Sequence, residues 1–279
     1  MTQLDPNLVA EVEGKFGKLI IEDLDGQRIL RFDSAARQAV MTLAAPHKLV
    51  SVPLQYMLAP LLWQDIESSN ILLAGIGGGD LIRFLNHYLP KTMFTGIDRD
   101  AAMIKLAQQY FELPRENENW RYFIDDAGDF FQKLSADENE SPIELIVIDL
   151  HLKEDMPDFL NQVFFYESCK TNLSSEGILA INILPRDKTH LIEIMKTIRM
   201  VFNRKCLYAA IPQHDNIAIY AFNNFPEIDF SFKEIERRSI KLSAKFNFDL
   251  THIWQNIRAL NPILTETKNN LSFSDLAPR

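Results

Sequence analysis

Three strand-ending aspartates carry most of the chemistry that this sequence offers. Asp98 closes the run TMFTGID, Asp126 follows WRYFID, and Asp149 ends the almost purely apolar IELIVID. Carboxylates at the carboxyl ends of strands in an open α/β sheet stand where ligands bind. Asp98 lies 19 residues beyond Gly79, a spacing at which an acid can accept both hydroxyls of a ribose. Asp126, the chosen member of the Asp125-Asp126 pair, can hold an adenine amino group; capping the next helix is its competing role. Asp149 can orient an amine and accept its proton, against the plainer role of capping a loop. Asp100 reads as the N-cap of the helix AAMIKLA. His151 is a candidate second base beside Asp149, against a merely solvated loop histidine.

Ahead of these acids lies Gly75-Ile76-Gly77-Gly78-Gly79-Asp80, directly after an apolar run and opening a helical one. Glycines there permit a tight turn and a close approach of backbone to ligand. Dinucleotide, flavin and sulfonium-nucleoside binders all use such a loop. Asp80 places a carboxylate at the helix start, where a pyrophosphate would otherwise dock. That repulsion is read as favouring a cationic ligand of the S-adenosylmethionine type over NAD. Other chemistries find no residues. The six His are scattered and Cys169 and Cys206 lie far apart, so no metal-ligand spacing occurs. Neither GxxxxGK[ST] nor GxSxG is present. Phe164, Phe165 and Tyr166 read as core packing of a helix.

These residues need a scaffold, and the chain alternates strand and helix from Asn70 onward. NILLAG, TMFTGID, WRYFID, IELIVIDL and GILAINIL read as strands, each followed by a helical pattern. CLYAAI and NIAIYAF, joined by the turn Pro212-Gln213-His214-Asp215, read as an antiparallel pair. The expectation is a doubly wound α/β sheet of seven strands, Rossmann-like, with an antiparallel C-terminal hairpin. Before it, KLIIEDLDGQRILRF places Asp25-Gly26 between two apolar runs, a hairpin signal. LQYMLAPLLW follows as a helix bent or ended at Pro60. After it come two charged helical stretches, FKEIERRSIKLSAKF and LTHIWQNIRAL, and a frayed tail of about a dozen residues. The expected division is 1–60 for the N-terminal β-hairpin region and linking helix, 61–225 for the nucleoside-binding catalytic domain, and 226–279 for a helical extension.

Composition agrees with that picture and excludes others. The 279 residues carry a net charge of −9, 47% are hydrophobic, and only two are cysteines. The apolar fraction is too high for disorder, and no apolar run reaches membrane-spanning length. The N-terminus lacks a basic region followed by an apolar stretch, so no signal peptide is expected. The acid excess argues against a nucleic-acid coat. Few cysteines and no leader suggest a cytoplasmic protein.

The segments ILLAGIGGGDLIRFL, GIDRDAAMIKLAQQYF, DDAGDFF, LIVIDLHL and FFYESCKTNLSSEGILAINIL, in that order, resemble the spermidine synthase-like (polyamine aminopropyltransferase-like) family. That family has the class I S-adenosylmethionine-dependent methyltransferase fold, and the resemblance runs from about Lys18 to Phe222. It implies that Gly75, Gly77 and Gly79 form the cofactor loop, that Asp98 holds the ribose, and that Asp126-Ala127 replaces an acid–glycine pair near the adenine. Asp149 falls on the catalytic aspartate that opens the family's D-x-x-D motif. The second acid of that motif is Leu152 here. The family's Tyr-x-Glu falls on Pro53-Leu54-Gln55, which offers Gln55 and the neighbouring Tyr56 to the substrate. A glutamine expected after the L-x-L-D-G segment falls on Arg37, with Gln38 one residue later. Glu154, Asp155 and Asp158 could replace the missing acids. The resemblance implies a transferase that uses S-adenosylmethionine or its decarboxylated form as donor, with no metal. Its acceptor would be a small-molecule amine, and it allows a homodimer. Aminopropyl transfer is the leading expectation; a methyltransferase on another nucleophile, or a non-catalytic nucleoside binder, are the alternatives.

Overall fold

The computed structural model describes residues 7–32, 37–65, 69–134, 142–150, 156–225 and 232–259. The N-terminal part is a four-stranded antiparallel sheet in the order β1 (Leu8–Gly14), β2 (Gly17–Leu24), β3 (Gln27–Phe32) and β4 (Arg37–Thr42). The expected hairpin is its β2–β3 turn. Asp25 and Gly26 both take positive φ, 51° and 74°, the twist that a two-residue hairpin loop requires. One face of this sheet, through Leu19, Ile21, Leu30 and Met41, packs on Met103, Leu106 and Phe111.

The linker is interrupted, as Pro60 suggested, but ahead of the proline. It forms α1 (Val52–Tyr56), then a separate 3-10 turn at Ala59–Leu62. Pro60 cannot donate a backbone hydrogen bond and keeps Ala59 from continuing the helix, so the break precedes the proline. Trp63 follows, 1% exposed. Its ring lies 5.7 Å from Tyr220, 5.3 Å from Phe222 and 6.3 Å from Trp254. One side chain thus ties the linker and the C-terminal helix that carries Trp254 to the large sheet. Trp63→Ala is expected to cost about 3–5 kcal/mol, measured as a shift in the chemical denaturation midpoint at unchanged slope.

The large sheet has eight strands in the order β12-β10-β11-β9-β8-β5-β6-β7. Its parallel part is β5 (Asn70–Ala74), β6 (Met93–Asp98), β7 (Trp120–Ile124), β8 (Ile143–Ile148) and β9 (Leu173–Ile183). The expected antiparallel pair is β10 (Cys206–Ala210) and β11 (Ile217–Phe222). The eighth strand, β12, is only Arg258–Ala259, paired with Tyr208 and Leu207. It corrects the expectation that helix continues through Ala259, because these two residues cover the open edge of β10 instead.

Helices α2 (Asp80–Tyr88), α3 (Ala101–Tyr110), α4 (Ala127–Leu134), α5 (Val163–Asn172) and α6 (Lys188–Val201) connect the strands. Successive strand residues point to opposite layers. Ile71, Leu73, Leu145 and Val147 enter the core shared with Trp63 and Phe84, whereas Leu72, Ala74, Ile146 and Ile148 enter the one shared with Phe165 and Ile194. Burial on both faces is why these strands read as continuous apolar runs. A 3-10 turn at Asp158–Asn161 precedes α5. Phe165 and Tyr166 are core as expected, but Phe164 is exposed. α7 (Phe232–Phe246) and α8 (Leu250–Asn256) follow the charged stretches. The expected frayed tail lies outside the described residues. Among those described, no helix is long and apolar enough to cross a membrane. Cys169 and Cys206 are free and buried, and burial pushes the Cys206 thiol up to about 12.

Candidate functional site

The carboxyl ends of β5, β6 and β8 are laced together by main-chain hydrogen bonds. Asp149 N–H donates to Ala74 O, and Gly75 N–H to Ile97 O, each at 2.9 Å. Where they meet, the backbones are so close that a Cβ on Gly75 would lie 2.1 Å from the Asp149 carbonyl oxygen. Gly75 also has φ of +95°. The glycine therefore lets the loop leave the sheet against Asp149.

Beyond this junction a cavity of about 310 Å³ opens, a size typical of small-molecule sites. Gly75, Gly77, Asp98, Asp126, Ala127 and Asp149 all line it. Asp98 holds the loop above it: Oδ2 accepts from the N–H of Ile76 (3.1 Å) and of Gly77 (3.4 Å), and Oδ1 from Asp100 N–H (2.9 Å). Burial pushes the Asp98 carboxyl up, and these three N–H groups pull it back. Asp100 caps α3 by accepting from Ala102 N–H, as expected, and its other oxygen accepts from Lys15 N–H. That second bond docks the β1–β2 turn on the rim. Asp126 accepts from Gly128 N–H at 2.9 Å, the helix-capping role, while still facing the cavity. Asp149 Oδ1 accepts from Asn182 Nδ2 at 2.8 Å, and Asn182 Oδ1 accepts from Asn216 Nδ2 at 3.0 Å. Asn182 is 2% exposed. A chain of two amides, the nearer one buried, thus holds the Asp149 carboxylate.

Several expected residues stand elsewhere. Gly79 does not line the cavity; it is the N-cap of α2, at φ +78°, backed by Leu113. Gln55 donates its side-chain amide to Leu49 O. Tyr56 is buried, and its hydroxyl accepts from Asn256 Nδ2 at 2.9 Å. Both side chains serve the fold and neither lines the cavity. His151, Leu152, Glu154 and Asp155 lie outside the described residues. Asp158 is exposed and 3.9 Å from Arg186.

Asp80 requires a correction of the argument built on it. Its carboxylate is buried and paired with Arg83, and it does not line the cavity. Desolvation raises its pKa and Arg83 opposes that shift. Arg83 also donates to the carbonyls of Gly78, Phe111 (2.7 Å) and Pro46 (2.9 Å). Asp80 therefore braces the loop from behind, and repulsion of a pyrophosphate by Asp80 carries no weight. The preference for a cation passes to the cavity wall itself. Among the described residues, its charged lining is Asp98, Asp100, Asp125, Asp126 and Asp149, against the single cation Arg99.

Among the lining residues that escaped the sequence reading are Phe16, Phe32, Arg99 and Phe159. Phe16 sits on the β1–β2 turn, and the Arg99 guanidinium lies 4.0 Å from its ring centre and 3.8 Å from Asp126. Gln38 also lines the cavity, although it stands one residue late in the sequence. The β3–β4 pairing explains this: Leu30 opposes Ala39 but Arg31 opposes Arg37, so Gln38 is the extra residue of a β-bulge. A bulge re-aims side chains, and here it absorbs the one-residue offset. Among the described residues, no group of three or more His, Cys, Asp or Glu is arranged to hold a metal ion.

No protein-family model matches the chain. A polyamine aminopropyltransferase from Neisseria meningitidis is 28% identical over 247 residues, which is 88% of this chain and 91% of that protein. An eEF1A lysine and N-terminal methyltransferase homolog from Drosophila melanogaster is 28% identical over 179 residues, 62% of this chain but 25% of that one. Among solved structures, a probable spermidine synthase from Corynebacterium glutamicum superposes with a TM-score of 0.68 at 18% identity, covering 83% of this chain and 86% of its own. Human methyltransferase-like protein 13, in complex with SAH, gives 0.62 at 21% identity, covering 69% of this chain and 91% of its own.

Proposed function

We propose, from the premise that this chain is spermidine synthase-like and has the class I methyltransferase fold, that it transfers an aminopropyl group from decarboxylated S-adenosylmethionine to an amine. The observation that carries the proposal is the placement of Asp149. It faces the same acidic cavity as the glycine loop and Asp98, and Asn182 holds it in position. Asp98 would accept the ribose hydroxyls, and Asp126 with Ala127 would meet the adenine. The sulfonium would then lie among carboxylates, which stabilise a cation that water no longer solvates.

In the step itself, the lone pair of a neutral amine attacks the methylene carbon next to the sulfonium. The carbon–sulfur bond breaks, its electron pair returns to sulfur, and methylthioadenosine leaves. The proton released from the new ammonium passes to Asp149 and on to solvent. The chain's own part is to position the two reactants in line and to hold a base within reach. The test is calorimetric binding of both donors, followed by mass spectrometry of products with a panel of amines. Methylthioadenosine plus an extended amine supports the proposal; no binding of either sulfonium nucleoside or of methylthioadenosine overturns it.

A second reading is methyl transfer from S-adenosylmethionine to another nucleophile. It is favoured by the loss of diamine-side groups: Leu152 replaces an acid, and Gln55 and Tyr56 are engaged in the fold. The same product analysis separates the two readings, because methyl transfer leaves S-adenosylhomocysteine.

The raised Asp98 carboxyl gives a pH dependence with a definite sign. Burial favours its protonated form in the free protein, so that form adds stability at low pH, and the contribution is lost as pH rises through the folded value. Ribose hydroxyls donate to the charged form and favour it. Nucleoside binding should therefore release protons and weaken as pH falls from about 7 towards 4. Calorimetry in buffers of differing ionisation enthalpy measures the release. Affinity that is flat or rises towards acid would remove Asp98 from the ribose.

A further inference from the structure

Arg99 is the one cation on an otherwise acidic cavity wall among the described residues. A guanidinium carries its N–H donors in a fixed plane. Among the described residues none of these donors makes a hydrogen bond, although the side chain is only 28% exposed. The carboxylate beside it does not use them either: Asp126 Oδ2 stands 3.8 Å from Nη1, beyond the reach of an N–H···O bond.

An aromatic ring holds the guanidinium instead. Its central carbon lies over Phe16, 4.0 Å from the ring centre, a contact that fixes a planar cation without using its donors. The first sheet brings Phe16 there, because Lys15 N–H donates to Asp100 Oδ2 at 2.9 Å and docks the β1–β2 turn on the rim. Asp126 is fixed from its own helix, since Oδ1 accepts from Gly128 N–H at 2.9 Å. That leaves Oδ2 towards Arg99. The wall therefore presents a held acceptor and a held, unspent donor side by side.

This order of groups has a complement in adenine, whose 6-amino donor is flanked by ring-nitrogen acceptors. We propose that Arg99 reads the base: it donates to the ring nitrogen beside the amino group that Asp126 accepts from, and Phe16 is its positioning residue. The inference rests on the nucleoside-binding reading above and adds to it a residue that determines base specificity. A 6-oxo purine would set an acceptor against the Asp126 carboxylate, leaving both unpaired, and is rejected for that reason.

The test is calorimetric titration of 5′-methylthioadenosine and its 1-deaza and 7-deaza analogues, in each of which CH replaces one ring nitrogen, into the full chain and its variants. In the wild-type chain one analogue should bind about tenfold more weakly than the parent, which identifies the nitrogen. Arg99→Leu should weaken the parent by a similar factor and close the gap to that analogue, because the partner is already gone. A merely structural role for Arg99 would weaken parent and analogue together and leave the gap. Phe16→Ala should weaken the parent about threefold or more, whereas Phe16→Tyr, which keeps the ring, should bind as the wild type does. Two results overturn the inference while leaving the nucleoside reading in place: neither analogue is weaker in the wild-type chain, or the gap survives in Arg99→Leu. Wild-type affinity in Phe16→Ala overturns the positioning role. No binding of the parent to the wild-type chain overturns the inference and the nucleoside reading together.

Discussion

Asp149→Asn is expected to lower turnover by about 100- to 10,000-fold, the usual contribution of a positioned proton acceptor, while leaving donor affinity within about threefold. The asymmetry follows from the geometry. The introduced amide keeps a side-chain oxygen to accept from Asn182 Nδ2, so the bond now at 2.8 Å survives. The main-chain contact to Ala74 O is untouched. The ability to take a proton is lost, together with one of the five carboxylates that line the cavity. Single-turnover kinetics with calorimetric donor affinity would read both quantities. Unchanged turnover would remove Asp149 from the chemistry, and loss of both would make the residue structural; donor binding with no turnover in the wild-type chain would favour the non-catalytic binder. Asn182→Ala tests the positioning half of the argument. It should lower turnover less, by about tenfold, with donor affinity unchanged, because the carboxylate loses the donor that orients it.

The sequence exposed the large features of this protein for identifiable reasons. Ile146, Val147 and Ile148 lie in a strand buried on both faces, so the run announces itself whatever surrounds it. Asp98 and Asp149 inherit that clarity, since each ends such a strand. Asp25-Gly26 was equally legible because positive φ at both positions is a local demand. What stayed hidden depends on contacts distant in sequence. Phe16 and Arg99 meet only because Asp100 docks the β1–β2 turn 85 residues away. Gln38 needs the bulge in β4, which no periodicity records. Asn182 and Asn216 look like ordinary strand and turn polars until the sheet places them behind Asp149. Asp80 misled for the same reason. Its partner Arg83 stands only three residues on, yet both are buried by Pro46 and Phe111, whose approach the sequence does not show.

Gly75→Ala is expected to be the most damaging single-methyl change at the site. The added Cβ would stand 2.1 Å from the Asp149 carbonyl oxygen and 2.9 Å from its carbon. Both are backbone atoms of a central strand junction, so no side chain can swing aside. The φ of +95° adds strain, because residues with a Cβ avoid this region at a cost of about 1–3 kcal/mol. Relief requires Asp149 to withdraw from Ala74 and the loop to withdraw from Ile97, breaking both 2.9 Å hydrogen bonds. A loss of about 3 kcal/mol or more in denaturation is expected, with donor binding abolished. Gly77→Ala supplies the contrast. Nothing among the described residues lies within 4 Å of a Cβ there, and its φ of +53° falls in the left-handed well that other residues sometimes occupy. That variant should lose only about 1 kcal/mol of stability. Any larger effect of Gly77→Ala is expected in donor affinity alone, because Gly77 lines the cavity where the nucleoside is proposed to sit. Equal stabilities for the two variants would show that the junction at Gly75 yields more easily than its contacts imply.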